Sequence, residues 1–90
     1  MSQDIINFLG EKLAVQINKP ALACKGLVRL GIKEDHGGTE DLTFEKVKHT
    51  IKSGLKKRLD NIGISKSNEV CNYLLKELVS NQSLLTMANF

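Results

Sequence analysis

Leu42-Thr43-Phe44-Glu45-Lys46-Val47-Lys48-His49-Thr50-Ile51-Lys52-Ser53-Gly54-Leu55-Lys56-Lys57-Arg58-Leu59-Asp60-Asn61-Ile62, closed by Gly63, is the stretch whose reading decides the fold. Phe44, Val47, Ile51, Leu55 and Ile62 fall within one stripe at helical spacing, and Phe44-Glu45-Lys46-Val47-Lys48 does not alternate as a half-buried strand would. The spacing predicts a helix over 42–62 with Gly63 as its stop. Upstream, Asp35-His36-Gly37-Gly38 is the strongest break, because adjacent glycines readily supply the left-handed turn that ends a helix; 35–41 reads as a loop. Before it, Pro20 opens a second helix through Leu22, Leu27, Val28 and Leu30. Ser2 as cap and Asp4 in the first turn start a first helix toward Asn18, with Ile6, Leu9, Leu13 and Ile17 on a core-facing stripe. Downstream, Ser65 or Ser67 caps a fourth helix carrying Val70, Leu74, Leu75 and Leu78. The tail from Leu84 to Phe90 is apolar enough to need burial, as more helix or a short strand. The expected fold is all-α: one domain over 1–90, a small bundle of four to five helices, without repeats or linkers.

Composition narrows the function classes. Ninety residues suffice for one apolar core, and 41% hydrophobic with 26% charged residues is too apolar for a disordered tail. With three Phe, one Tyr and no Trp, the core must be built mainly from Leu, Ile and Val. No basic leader and no run of about eighteen apolar residues is present, so neither secretion nor membrane spanning is expected and the assignment is cytoplasmic. Cys24 and Cys71 stand alone in the sequence and read as two buried thiols of a reducing compartment. Cys24, His36, His49 and Cys71 are of ligand type, but their separations match no compact metal motif, and no metal or cofactor is expected. There is no Gly-rich phosphate loop and no activated nucleophile, while Glu34-Asp35 and Glu40-Asp41 read as solvated ends of a loop. The sequence does not read as an enzyme.

Charge is unevenly distributed. Residues 1–41 carry five basic and six acidic side chains and 61–90 two of each, but 42–60 carry six basic against two acidic. On the predicted third helix Lys46, His49, Ser53, Lys56 and Lys57 point away from the apolar stripe, with Lys48 and Lys52 on one flank. Such a face suits phosphate contacts, each releasing a counterion, or serves only as a solvated surface. Arg58 lies angularly near the stripe, where its stem can pack while the guanidinium reaches out or pairs with an acid.

The segment Leu59-Asp60-Asn61-Ile62-Gly63-Ile64-Ser65-Lys66-Ser67-Asn68-Glu69-Val70-Cys71-Asn72, continued by an amphipathic run to Val79, resembles the turn and second helix of helix-turn-helix and winged-helix DNA-binding domains. The resemblance implies that the second helix enters the major groove with its N-terminal residues at the base edges. By position Lys66, Ser67, Asn68 and Asn72 are then the readers, Ser65 is a phosphate contact or cap, and Val79 to Thr86 approaches a first wing strand. The apolar anchor that the family places about six positions after the turn glycine is Val70 here, one later. A Gly-Ile-Ser turn in an ordinary bundle is the alternative. His49-Thr50-Ile51-Lys52 also resembles the phosphoacceptor stretch of histidine phosphotransfer domains, with the glycine expected beside the lysine displaced to Gly54. The functional expectation is a nucleic-acid-binding regulator, paired into a homodimer through Leu84, Leu85, Met87 and Phe90; the rival is a helical module that docks a partner protein.

Overall fold

Ile5, Ile6, Leu9 and Leu13 line the buried side of α1 (Ser2–Ile17), the first of five helices in a computed structural model that describes residues 2–38 and 42–81. α2 (Ala21–His36), α3 (Phe44–Lys52), α4 (Gly54–Asn61) and α5 (Ser67–Ser80) follow, with no strand among the described residues. The all-α bundle expected from periodicity is what forms. Each fully buried Leu or Ile in it contributes about 1.5–3 kcal/mol over the exposed side chain.

α1 stops at Asn18, whose backbone is left-handed at φ 55°, while the Lys19 N–H reaches back to the Ala14 carbonyl at 3.3 Å. Asn tolerates this conformation better than most side chains, so it can end a helix as Gly does. Pro20 sits at the cap of α2, just outside the helix. The three-residue connection makes α1 and α2 antiparallel, and they approach closely at Gly10, where an added Cβ would meet the backbone of Lys25 at 2.9 Å. α2 turns Cys24, Val28, Gly31 and Ile32 inward. Leu22 and Leu30 lie on its opposite side, 84% and 45% exposed, so the apolar residues that announced this helix do not share one face.

Two departures from the sequence reading shape the rest. The first concerns Asp35 and His36, which the glycine break places in the loop but which complete the last turn of α2; the helix ends at Gly37, left-handed at φ 81°. The second is a break in the helix expected over 42–62. Thr43 caps α3 by accepting from the Lys46 N–H at 3.2 Å, α3 stops at Lys52, and Ser53 leaves helical geometry with φ −124° and ψ −89° before α4 begins. The cause lies on α2: the Asp35 carboxylate accepts from the Gly54 N–H at 3.0 Å and from the Ser53 hydroxyl at 3.4 Å. A carboxylate brought from another helix thus supplies the cap that starts α4. The buried positions keep a four-residue spacing across the break, and Ile62 falls at the cap just past the end of α4. Val47 and Ile51 are buried from α3 and Leu55 and Leu59 from α4, whereas Ile62 is exposed.

Sixteen apolar side chains from all five helices and from Leu42 form the core, with Phe8, Phe44 and Tyr73 packed at its edge. Leu84, Leu85, Met87 and Phe90, the expected dimer contacts, and Glu40-Asp41 lie outside the described residues. Val79 and Ser80, read as the approach to a wing strand, are helical.

Candidate nucleic-acid interface

The turn between α4 and α5 is built by backbone chemistry that the sequence specifies. Gly63 is left-handed at φ 87°, its N–H bonds the Asp60 carbonyl, and the Ile64 N–H bonds the Leu59 carbonyl at 3.0 Å. That pair of bonds is a Schellman ending, which needs a residue free to take positive φ. Ile64 packs back against the core and closes it.

Asp60 then joins the two helices. One carboxylate oxygen accepts from the Ser67 hydroxyl on the first turn of α5, and the other accepts from Lys56 Nζ at 3.1 Å. The Ser67 hydrogen bond, followed by that from Lys56, holds the Asp60 carboxyl below its ordinary range. Ser67 is buried by this contact, which removes it from the surface where a base reader must stand. The signal was present in the sequence: Ser67 precedes Val70, Cys71 and Leu74 by three, four and seven positions and so shares their inward face. No side chain caps α5, neither Ser65 nor Ser67.

Lys66, Asn68 and Asn72 are exposed, as is Ser65. Asn68, Asn72 and Lys76 follow one another at four-residue spacing, so they form one outward row along α5. Ser65 and Lys66 border a cleft of about 370 Å³ whose opposite wall is the end of α1 at Gln16 and Ile17.

The lysines of the basic segment divide into two groups. Lys48 is half-buried, 3.6 Å from Glu45, with its ammonium 5.8 Å from the centre of the Phe44 ring. Lys56 is committed to Asp60, and Lys46 is half-buried. Lys52 and Lys57 are exposed and make no ion pair among the described residues. For Lys48 and Lys56 the division follows from acids within one turn, Glu45 three positions before the one and Asp60 four positions after the other. Arg58 pairs with Glu34 at 2.8 Å, as its place near the stripe allowed.

Other residues singled out in the sequence have structural surroundings. Both cysteines are buried and free. Burial pushes the Cys71 thiol up to about 11 against the opposing pull of Lys56, and burial likewise raises Cys24. These thiols stay protonated and unreactive at neutral pH. Glu34 and Asp35, read as solvated, instead tie α2 to α4, and His36 donates from Nε2 to the Lys46 carbonyl at 3.0 Å. Three consecutive side chains of one helix turn therefore hold two other helices. His36 also comes within ring contact of His49.

No helix among the described residues is long and apolar enough to cross a membrane. Comparison with protein-family models, with curated proteins and with solved structures gives no match.

Proposed function

We propose that the chain is a nucleic-acid-binding module in which α5 presents Lys66, Asn68 and Asn72 to the bases while Lys52 and Lys57 meet phosphates. The observation that carries the reading is the first half of α5: an outward row of uncharged amides on a helix braced through Asp60 and preceded by the exposed Lys66, which, like Lys52 and Lys57, makes no ion pair among the described residues. Asn can pair bidentately with adenine, and exposed unpaired lysines are the groups that release counterions on meeting phosphate. Lys48 and Lys56 contribute less, because an acid partner already holds each. Ser67 serves as a brace for the reading helix.

The test is a titration of duplex DNA by fluorescence anisotropy between about 50 and about 200 mM salt, where a phosphate-driven complex loses affinity steeply. Lys57→Ala should reduce the salt slope by about one and weaken all sequences alike. Asn68→Ala should cost about 1–3 kcal/mol on a preferred sequence and little on a random one. Binding with no salt dependence ends the proposal.

A protein-docking reading has one observation in its favour, the exposed Leu22 and Leu30 on the outer side of α2. Leu22→Ser separates the two, since it leaves DNA affinity unchanged under the nucleic-acid reading.

A further inference from the structure

We propose that His36 and His49 form a two-ligand site for a divalent transition-metal ion of the zinc, nickel or copper class, joining the end of α2 to α3. The rings stand 5.7 Å apart, centre to centre, with their planes inclined at 60°. Metal–nitrogen bonds of about 2.0–2.1 Å put two imidazoles around one tetrahedral ion with ring centres roughly 5 Å apart. Small rotations of the exposed His49 side chain close the difference.

The second argument is the hydrogen bond from His36. A carbonyl oxygen only accepts, so Nε2 facing the Lys46 carbonyl at 3.0 Å carries the hydrogen. In the neutral ring that fixes Nδ1 as the nitrogen with the free lone pair. Metal-binding histidines are commonly held in this manner, with the other ring nitrogen donating to a backbone carbonyl that sets both the tautomer and the ring orientation. His36 is also the last residue of α2, where the carbonyl end of the helix favours positive charge.

The surroundings limit which ions fit. Lys46 and Lys52 lie one turn to either side of His49, and no group of three or more His, Cys, Asp or Glu side chains converges among the described residues. Attraction therefore comes from the two nitrogen bonds rather than from net charge, and water completes the coordination. Calcium and magnesium, which require oxygen ligands, are not expected to bind. Copper should bind most tightly among the divalent ions.

Titration of the tag-free chain with ZnCl2 and with CuCl2, followed by calorimetry and by the imidazole NMR signals, tests the site. One ion per chain is expected, with both histidines shifting together and CuCl2 the tighter. His36→Ala and His49→Gln should each weaken binding by about tenfold or more. Zinc should raise the melting temperature of the wild type but of neither variant. Circular dichroism establishes that both variants keep their helices. Affinity unchanged in either variant, no binding at all, or equal binding of CaCl2 overturns the proposal.

Discussion

Gly37 and Ser53 each end a helix, and they do so for opposite reasons. At Gly37 the cause is the residue itself: it takes φ 81°, its N–H closes onto the Lys33 carbonyl at 2.8 Å, and nothing stands within 4 Å of where a Cβ would be. At Ser53 nothing local demands a stop. The cause is α2, which brings the Asp35 carboxylate to the Gly54 N–H and its own Gly31 carbonyl so near that a Cβ on Gly54 would stand 2.7 Å from that oxygen. One ending is written in a single residue, the other in a contact between residues about twenty positions apart.

The largest effect should come from Gly54→Ala. Alanine adds about 1 kcal/mol of helix preference, but its Cβ would meet the Gly31 carbonyl and the Asp35 carboxylate at 2.7 and 2.8 Å, and a backbone oxygen cannot rotate away. A net loss of about 2 kcal/mol is expected from urea unfolding. Wild-type stability in this variant would show that α2 and α4 can separate at no cost.

Asp35→Ala should follow, at about 1.5 kcal/mol, since it removes the cap and leaves the buried Gly54 N–H without its acceptor. Its second expected consequence is structural: NMR chemical shifts should report helical geometry spreading through Ser53. If the break persists unchanged without the carboxylate, the residues around Ser53 cause it themselves and the contrast with Gly37 fails.

Gly37→Ala should cost the least, about 1 kcal/mol, because the only penalty is a side chain held at positive φ in open space. Gly37→Asn, measured by the same thermal melts, should recover part of that loss. A larger loss than for Asp35→Ala would reverse the ranking.

These differences explain what could be read in advance. The apolar periods of α1, α3 and α5, and the stops at Gly37 and Gly63, are local properties and were legible. The break at Ser53 was not, because Ile51 and Leu55 keep a four-residue spacing across it and the residue that imposes it lies on α2. In the candidate interface, exposure of Asn68 and Asn72 followed from their helical phase. The inward position of Ser67 followed from the same phase but was masked by its resemblance to a capping residue. The loss of Lys48 and Lys56 to Glu45 and Asp60 depended on partners three and four positions away, visible as spacing though not as geometry. The meeting of His36 with His49 carried no local trace at all.

The last turn of α2 has a consequence for how the molecule opens. Glu34 holds Arg58, Asp35 holds the start of α4, and His36 holds the Lys46 carbonyl of α3, so a single fraying event there releases all three attachments at once. Local opening is then coupled rather than piecemeal: the Gly54 amide, otherwise sheltered, becomes available to solvent deuterium whenever residues 34–36 unwind. Amides at the middle of α2 are shielded until the whole core gives way. The exchange clock of α4 is thus wound by another helix.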